Sequence, residues 1–218
     1  MKIKWYGHAA FKMTTSKGTG IIFDPYLSNA FGGAISYGRI TEEADAVITS
    51  HDHDDHNYIR DIKGRYIHIN KEGAYTVKDV KIRTIKTFHD TSKGKDRGEN
   101  LISVVEADGL VLAHMGDLGH TLEKDMLSSI GKVDILLIPV GGFFTIDAEG
   151  ATKVMNDIMP SITIPMHFQT DKCSLPIAKV DAFISGKRAV KMVGLSEIEI
   201  TKERLPKDLT IMVLEPAL

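Results

Sequence analysis

Polar and apolar positions alternate in short runs along the first half of the chain, and turn residues separate the runs. A period of two predicts β-strands that bury one face. The pair Asp108-Gly109 lies between two such runs and is a strong signal for a two-residue hairpin. The first half is therefore predicted to be rich in strands, at residues 2–6, 10–14, 20–23, 44–49, 66–70, 75–77, 81–88, 101–106 and 110–113.

The second half adds helical periodicity, because apolar residues recur there every three or four positions in three segments. These segments are residues 121–130, 147–159 and 176–184. Asp147 is placed to cap the second helix and Pro160 to end it, and Pro176 suits the first turn of the third. Further strands are predicted at residues 133–140, 162–165, 190–193 and 209–214. The simplest architecture is two sheets packed face to face with helices outside, a four-layer αββα sandwich of the α/β class that forms a single domain over residues 1–218.

One loop, directly after the apolar run of residues 44–49, carries the sequence His51-Asp52-His53-Asp54-Asp55-His56. Imidazoles and carboxylates gathered this closely gain most from a bound cation. Residues two apart in an extended segment point to the same side, so His51 and His53 can reach one cation. Asp55 and His56 follow a turn and point elsewhere, toward a second cation. Nitrogen and oxygen ligands without a thiolate favour Zn²⁺ and also accept Mn²⁺, Fe²⁺ or Co²⁺.

One loop cannot saturate two cations, so further ligands are expected from the ends of later strands. Three candidates each follow a predicted strand: His89, Asp117 and His167. Gly116 precedes Asp117 and allows the backbone to approach the site closely. The sequence therefore predicts a metal site at an edge where several strands end.

Composition and charge narrow the class of protein. With 218 residues, 43% of them hydrophobic, the chain can bury a substantial core. Its formal net charge of -2 gives no global reason to expect a nucleic acid or membrane-surface partner. The single Cys173 permits no disulfide within the chain, and no apolar run approaches the roughly 20 residues that span a bilayer. Residues 1–6 lack the apolar segment of a signal peptide. We expect a cytoplasmic protein with a small-molecule substrate, and the sequence carries no signal for an oligomeric state.

The order of these motifs resembles that of the metallo-β-lactamase superfamily, and the resemblance spans nearly the whole chain. The motifs are Asp24 at a strand end, His51-x-His53-x-Asp55-His56, a separate His89, Asp117 after a glycine, and a late His167. Four further segments are similar to the branch of small metal-dependent hydrolases that includes ascorbate-6-phosphate lactonase. They are Gly7-His8-Ala9-Ala10-Phe11, Phe23-Asp24-Pro25, His114-x-Gly116-Asp117-Leu118-Gly119-His120, and Pro139-Val140-Gly141-Gly142 followed by Thr145. The αββα fold of that superfamily matches the predicted sandwich.

The resemblance implies two divalent metal ions, with zinc favoured and manganese or iron compatible. It assigns His51, His53 and His89 to the first ion, Asp55, His56 and His167 to the second, and Asp117 to both as a bridge. It also gives Asp24 a supporting role, in which this carboxylate orients a ligand histidine. Such a binuclear centre lowers the pKa of a shared water, and the hydroxide attacks an ester, lactone or phosphoester bond of a small molecule. Asp55 and Asp117 are the expected catalytic residues, because either can take or relay the proton of that water.

The residues that select the substrate are expected in two polar, glycine-containing loops. The first loop, residues 26–38, carries Phe31 and Tyr37, which are expected to be surface aromatics near the site. The second loop, residues 90–100, carries Arg97, a suitable partner for a phosphate or carboxylate. A solvated loop tip is the plainer alternative for Arg97 and the one that the sequence favours.

Three more histidines have a plain structural alternative beside a functional one. His8, between two strands, can face the metal cleft and contact substrate, or it can simply end a hairpin. His120 follows Gly119 at a predicted helix start, where it can point at a substrate. His114 can equally be a buried histidine that is hydrogen-bonded to the backbone.

Two other functions stay open at this point. A metal-dependent nuclease uses the same metal loop in this superfamily, but the acidic chain and its dispersed basic residues argue against one. A non-catalytic metal- or ligand-binding member would keep the fold without turnover, and the full ligand set argues against that. The leading interpretation is a metal-dependent hydrolase of small molecules.

Overall fold

Fourteen strands and four short helices make up the fold in a computed structural model that describes residues 1–218. The strands are β1 (Lys2–Gly7), β2 (Ala10–Thr14), β3 (Gly20–Phe23), β4 (Ala46–Ile48), β5 (Ile67–Ile69), β6 (Gly73–Val77), β7 (Val80–Phe88), β8 (Glu99–Ala107), β9 (Leu110–His114), β10 (Ile135–Pro139), β11 (Ile162–Met166), β12 (Val190–Met192), β13 (Glu197–Glu199) and β14 (Thr210–Val213). The helices are α1 (Ala30–Gly33), α2 (Lys124–Ile130), α3 (Ala148–Ile158) and α4 (Asp181–Ile184), and two 3-10 turns span Ile59–Asp61 and Lys202–Arg204. The longest helix, α3, has 11 residues, and none is long and apolar enough to cross a membrane.

The strands form two mixed sheets. One has six strands in the order β13-β1-β2-β3-β4-β5, and the other has eight in the order β12-β14-β11-β10-β9-β8-β7-β6. In the larger sheet β6 to β9 form an antiparallel meander, whereas β9, β10, β11 and β14 run parallel. The predicted hairpin joins β8 to β9, and Asp108 and Gly109 both have positive φ, 53° and 71°, as a type I′ turn requires.

A continuous core of 44 buried side chains includes residues of both sheets. Successive side chains of β3 point to opposite faces of the sheet: Ile21 and Phe23 join this core, whereas Ile22 faces the other side. Helices α2 and α3 contribute buried side chains to the same core. The predicted α/β sandwich is thus confirmed.

The outer face of the six-stranded sheet is covered by the loop of residues 26–38, and one prediction for this loop is wrong. Tyr37 is 0% exposed and packs with Ile22 in a second apolar cluster, so it is not a surface aromatic. Gly7 leaves space for the Tyr37 ring, because a Cβ at residue 7 would lie 2.5 Å from that ring. Phe31 does lie at the surface, with 54% of its side chain exposed.

The helices match the predictions in part. Helix α3 begins as expected, because Asp147 accepts a hydrogen bond from Gly150 N at 2.9 Å. The helix predicted for residues 176–184 is wrong at its start, since α4 has only four residues. The segment before α4 bonds instead to neighbouring loops, with Ala178 N donating to Gly141 O at 2.8 Å. The sequence also gave no sign of β13, which pairs with the edge of β1.

The strand ends that carry the candidate ligands meet at one edge. Because β8 lies antiparallel between β7 and β9, the strands β7, β9 and β11 all end on the same side of their sheet. The chain leaves these three ends into His89, Asp117 and His167. In the other sheet the parallel strands β3 and β4 lead into Asp24 and the histidine loop.

Candidate metal centre

The histidine loop after β4 is shaped by hydrogen bonds to its own backbone and to β3. His56 N donates to His53 O at 2.9 Å, which places a tight turn between the two halves of the loop. Asp24 accepts two hydrogen bonds from Ser50, one from its N and one from its Oγ, each at 2.7 Å. The turn directs Asp55 and His56 into the interior, where both are buried.

A first group consists of three histidines whose ligating nitrogens all lie within 4.8 Å of one another: His51, His53 and His89. Nδ1 of His51 lies 2.9 Å from Ser50 Oγ, and its buried Nε2 has no hydrogen-bond partner. The structure thus brings together the three side chains that were predicted to share one cation.

A second group gathers four residues within the same distance: His8, Asp55, His56 and His167. Nδ1 of His56 lies 2.9 Å from Asp24 Oδ2, and its Nε2 lies 3.6 Å from Asp55 Oδ2. His8 was not among the predicted ligands, but it joins this group, since its Nε2 lies 3.0 Å from the same Asp55 oxygen. His8 is fully buried and has a φ of 51°, so the turn between β1 and β2 holds it in the cluster.

Asp117 lies between the two groups. Its Oδ1 is 3.2 Å from His56 Nε2, and its Oδ2 is 3.2 Å from His89 Nε2 and 3.3 Å from His167 Nε2. Its backbone N donates to Asn100 Oδ1 at 2.8 Å, which anchors the residue to β8. One carboxylate therefore contacts both groups: Oδ1 faces His56, and Oδ2 lies between His89 of the first group and His167 of the second.

The donor atoms fit divalent cations. Three buried atoms that face one another lack any hydrogen-bond partner, namely His51 Nε2, His56 Nε2 and Asp117 Oδ1. Buried polar atoms without partners are costly, and cations held by the two groups would satisfy all three. Imidazole and carboxylate donors are those that zinc, manganese and iron accept.

The charges of the cluster also suit cation binding. Burial, together with the neighbouring His56, lowers the pKa of His51 to about 3, so this ring is neutral and can act as a ligand. Burial opposes ionisation of Asp117, but the adjacent His167 and His56 hold its pKa well below the usual value. Burial likewise opposes the charged form of His56, yet the Asp117 carboxylate raises its pKa well above the usual value. The carboxylates around His56 therefore favour positive charge at this position.

Two of the candidate histidines bond to the backbone instead of joining the cluster. His114 is buried, its Nε2 lies 2.9 Å from Ala9 O, and its Nδ1 accepts from Gly116 N at 3.1 Å. His120 Nδ1 lies 2.8 Å from Thr121 O, and its Nε2 accepts from Phe88 N at 3.4 Å, so both ring nitrogens have backbone partners.

A cavity of about 390 Å³ opens onto the cluster. Its walls combine residues of both groups with an arginine and three apolar side chains. They are His53, Asp55, His89, Asp117, His167, Arg97, Phe31, Phe144 and Leu175. The volume is within the range of small-molecule sites.

The sequence predictions missed two residues that support the centre, Ser50 and Asn100. Ser50 bonds both Asp24 and His51, and its position directly before the first histidine is the one signal that pointed to it. Asn100 accepts a hydrogen bond from Asp117 N and donates one to Met115 O at 2.9 Å. No motif in the neighbouring sequence predicts this role.

Comparison with known proteins agrees with this geometry. A family model described as "Beta-lactamase superfamily domain" matches residues 2–167. A UPF0173 metal-dependent hydrolase from Carboxydothermus hydrogenoformans is 31% identical over 198 residues, covering 78% of this chain and 85% of the relative. Another, from Archaeoglobus fulgidus, is 26% identical over 232 residues, covering 93% and 96%. A crystal structure from Thermotoga maritima, of the metallo-β-lactamase superfamily, has a TM-score of 0.82 and 34% identity, with 98% of each chain covered.

The fold and the histidine–aspartate centre therefore define a member of the metallo-β-lactamase superfamily, as the sequence motifs indicated. Within that superfamily the chain belongs to the UPF0173 metal-dependent hydrolase family. The narrower resemblance to ascorbate-6-phosphate lactonase stays a prediction.

Proposed function

We propose that the protein is a metal-dependent hydrolase that holds two divalent cations and cleaves a lactone, ester or phosphoester bond of a small molecule. The observation that carries the proposal is the position of Asp117, whose carboxylate lies within 3.3 Å of histidines from both groups. Zinc is favoured, and manganese or iron also suits these ligands. The names of the relatives, metal-dependent hydrolases, support the same reaction class.

In this proposal His51, His53 and His89 hold one cation, Asp55, His56 and His167 hold the other, and Asp117 contacts both. Cations bound there would lower the pKa of a shared water and polarise the bond under attack. Asp24 keeps the ring of His56 in place through Nδ1, so that Nε2 faces the centre. In this proposal each of these side chains therefore either contacts a cation or, like Asp24, orients a residue that does.

Asp55 and Asp117 are the proposed proton acceptors. Burial opposes ionisation of Asp55, but His56 and His8 hold its pKa below the usual value, so it is an ionised acceptor at neutral pH. During hydrolysis the water oxygen bonds to the carbonyl carbon or phosphorus, and the bond to the leaving oxygen breaks. The proton that the carboxylate takes from the water then passes to the leaving oxygen.

A small molecule is the proposed substrate class because of the size and lining of the cavity. At about 390 Å³ it suits a compact ligand, and Arg97 is its one cationic side chain apart from the histidines. A nucleic acid or an anionic membrane needs a broader basic surface. Lactones come first, given the motif resemblance to ascorbate-6-phosphate lactonase, and the single cysteine favours a reducing, cytoplasmic setting.

The test begins with metal content. We expect the purified protein, stripped by a chelator and reloaded with Zn²⁺, Mn²⁺ or Fe²⁺, to bind two ions per chain with at least one of these metals. Asp117→Asn is expected to weaken binding of both ions, whereas His68→Gln should leave binding unchanged, because His68 bonds Thr49 and lies outside the centre. Binding of well under one ion per chain by the reloaded wild type would contradict the proposal.

Turnover is tested on a panel of lactones, aryl esters and phosphodiesters. We expect chelation to abolish hydrolysis and the restoring metal to return it. Asp55→Ala is expected to lower kcat by on the order of 10²–10⁴-fold, the usual contribution of a general base. Full activity of the chelated protein would show that hydrolysis does not depend on a cation.

A further inference from the structure

We propose that Arg97 binds an anionic group of the substrate, a carboxylate or a phosphate, while Phe144 and its apolar neighbours bind the uncharged body. This rests on the proposed function, because the subsite shares its cavity with the metal centre, and it names the class of substrate that the centre receives. The argument starts from the loop that carries Arg97.

The loop of residues 90–98 has an exposed tip, at which Arg97 lies, and an organised backbone. The carboxylate of Asp90 accepts hydrogen bonds from Ser92 N, Gly94 N and Arg97 N, each at 2.8 Å, and from Asp96 N at 3.1 Å. One side chain thus satisfies four backbone donors of its own loop. The base of the loop is closed by His89 N, which donates to Gly98 O at 3.1 Å. The backbone of Arg97 is therefore fixed relative to His89, a proposed metal ligand.

The Arg97 side chain is held by contacts that leave its charge unpaired. Nη1 donates to Phe144 O at 3.2 Å, and the guanidinium carbon lies 5.5 Å from the centre of the Phe144 ring. None of the ion pairs in the structure includes Arg97. A guanidinium has five donors, and this contact uses one. The remaining donors and the full positive charge are available to a ligand.

Arg39 provides a comparison, because its guanidinium is paired with a carboxylate of the protein. Arg39 is also exposed, and it donates from Nε to Asp61 Oδ2 at 2.8 Å and from Nη2 to Asp61 Oδ1. This is the bidentate pairing that suits a guanidinium and a carboxylate. Arg97 offers the same fork at the cavity with no carboxylate of the protein in place, so a ligand carboxylate or phosphate can complete it.

The rest of the cavity wall defines the uncharged part of the ligand. Phe31, Phe144 and Leu175 form the apolar side of the 390 Å³ cavity, and the metal centre forms the other. A ligand that touches all three regions carries one anionic group, a compact apolar or aromatic body and the bond to be cleaved. Ordered aromatic walls favour such a body through contact area and stacking.

A polar groove adjoins the cavity, and its lining does not favour an anionic ligand with an apolar body. It has a volume of about 620 Å³ and shares His53 and Arg97 with the cavity. Three acidic side chains in its wall, Asp52, Glu72 and Glu99, balance three basic ones, Lys71, Lys86 and Arg97. The groove therefore has no excess of positive charge. We assign anion recognition to Arg97, because this side chain also lines the cavity.

Matched substrates test the inference. Mono-4-nitrophenyl terephthalate and its phosphonate counterpart, 4-nitrophenyl 4-phosphonobenzoate, carry an anion, whereas methyl 4-nitrophenyl terephthalate has the same reporter group without it. We expect Arg97→Gln to raise KM for the anionic esters by about 10–100-fold, as loss of a charged hydrogen bond does, with kcat nearly unchanged and the neutral ester unaffected. Arg97→Lys should lie between, because it keeps the charge and loses the fork. Whichever anionic ester loses more in Arg97→Gln identifies carboxylate or phosphate as the preferred group.

The matched control is Lys95→Gln, which removes a cation from the same loop that does not line the cavity. It is expected to leave all KM values unchanged. If the neutral and anionic esters are hydrolysed with equal KM, and Arg97→Gln changes neither, the inference is wrong while the proposed function stands.

A binding measurement separates the two failures. Calorimetric titration of phenylacetate into the metal-free protein requires no turnover, and we expect wild-type binding to weaken about 10-fold or more in Arg97→Gln and not in Lys95→Gln. Such binding without hydrolysis of any ester would support the anion subsite and contradict the proposed function. Binding that is the same in wild type and Arg97→Gln would overturn the subsite.

Discussion

Oδ2 of Asp24 lies 2.9 Å from Nδ1 of His56, and both side chains are buried. The contact fixes the His56 ring, so that Nε2 is the nitrogen that faces Asp55 and Asp117. The same carboxylate accepts two hydrogen bonds from Ser50 at the start of the histidine loop. Asp24 therefore joins both ends of the loop to the end of β3.

We expect Asp24→Asn to lower metal affinity by about 10–100-fold, as loss of a partner that orients a ligand histidine does. The fold should survive, because the amide oxygen can still accept from Ser50. The measurement is a competition titration against a chromophoric chelator. Asp61→Asn, a change at an exposed ion pair with Arg39, serves as the control and should match the wild type. Equal affinities for Asp24→Asn and wild type would show that His56 needs no such partner.

His8 gives a second prediction, because its Nε2 lies 3.0 Å from Asp55 Oδ2. Asparagine tolerates the φ of 51° at this position but is too short to reach Asp55, so His8→Asn removes the contact without adding backbone strain. We expect the ion assigned to Asp55, His56 and His167 to lose about 10-fold in affinity, with two ions still bound at saturation. The readout is metal content during dialysis against graded chelator.

A matched histidine control is His68→Asn, whose partner is Thr49 and which should leave both ions unaffected. If His8→Asn retains both ions as tightly as the wild type, the contact with Asp55 does not contribute to metal binding.

The parts of the fold that the sequence predicted well are those with local causes. The Asp108-Gly109 turn needs two residues with positive φ, and the cap of α3 needs an acceptor at Asp147. The grouping of His51 with His53 was also predicted from their spacing, although the chain bends through residues 51–53 and is not extended there. In each case neighbours along the chain determine the structure.

The parts that escaped prediction depend on residues far apart in sequence. His8 reaches Asp55 across 47 positions because β1 and β2 turn back beside the end of β11, where His167 N donates to His8 O at 3.1 Å. Tyr37 is buried because Gly7 lacks a side chain. The exposure of Arg97 agrees with the solvated loop that the sequence favoured, but the sequence does not show that Asp90 organises the backbone of that loop. Pattern and spacing do not encode such contacts.

Glu42 gives a pH dependence that is independent of the metal centre. Lys4 Nζ and Lys12 Nζ lie 2.6 and 2.8 Å from its two oxygens and join the first two strands to the segment before β4. Burial alone raises the pKa of Glu42, but hydrogen bonds from Lys12 and Lys4 outweigh it and lower the pKa from 4.5 to about 2. Because the folded pKa lies below the unfolded one, the contribution to stability is present above pH 4.5 and is lost as the pH falls toward 2.

We therefore expect Glu42→Gln to lower Tm at pH 7, and the gap to the wild type to narrow between pH 4.5 and 2. Thermal unfolding of both proteins across this range is the measurement. The exposed Glu215, which forms no ion pair, supplies the control Glu215→Gln, with no expected effect at any pH. A gap of constant size down to pH 2 would contradict the shift.

Gly116 is a backbone position on which the centre depends. Its φ is 55°, and a Cβ there would lie 2.6 Å from Ser50 Cβ and also overlap Asn100 Oδ1, the atom that anchors Asp117. Gly109 makes the matched control, because it too has a positive φ, 71°, but a Cβ there would meet nothing within 4 Å. The two alanine variants share the backbone strain and differ in the crowding.

We expect Gly109→Ala to cost about 1–2 kcal/mol of unfolding free energy, the penalty for a left-handed residue with a side chain. Gly116→Ala is expected to cost about 1–3 kcal/mol more, the range for overpacking a filled site, and also to weaken metal binding because Asn100 and Asp117 must shift. Denaturant unfolding gives the first quantity and chelator competition the second. Equal losses of stability with unchanged metal affinity would mean that the crowding around Gly116 relaxes without moving Asp117.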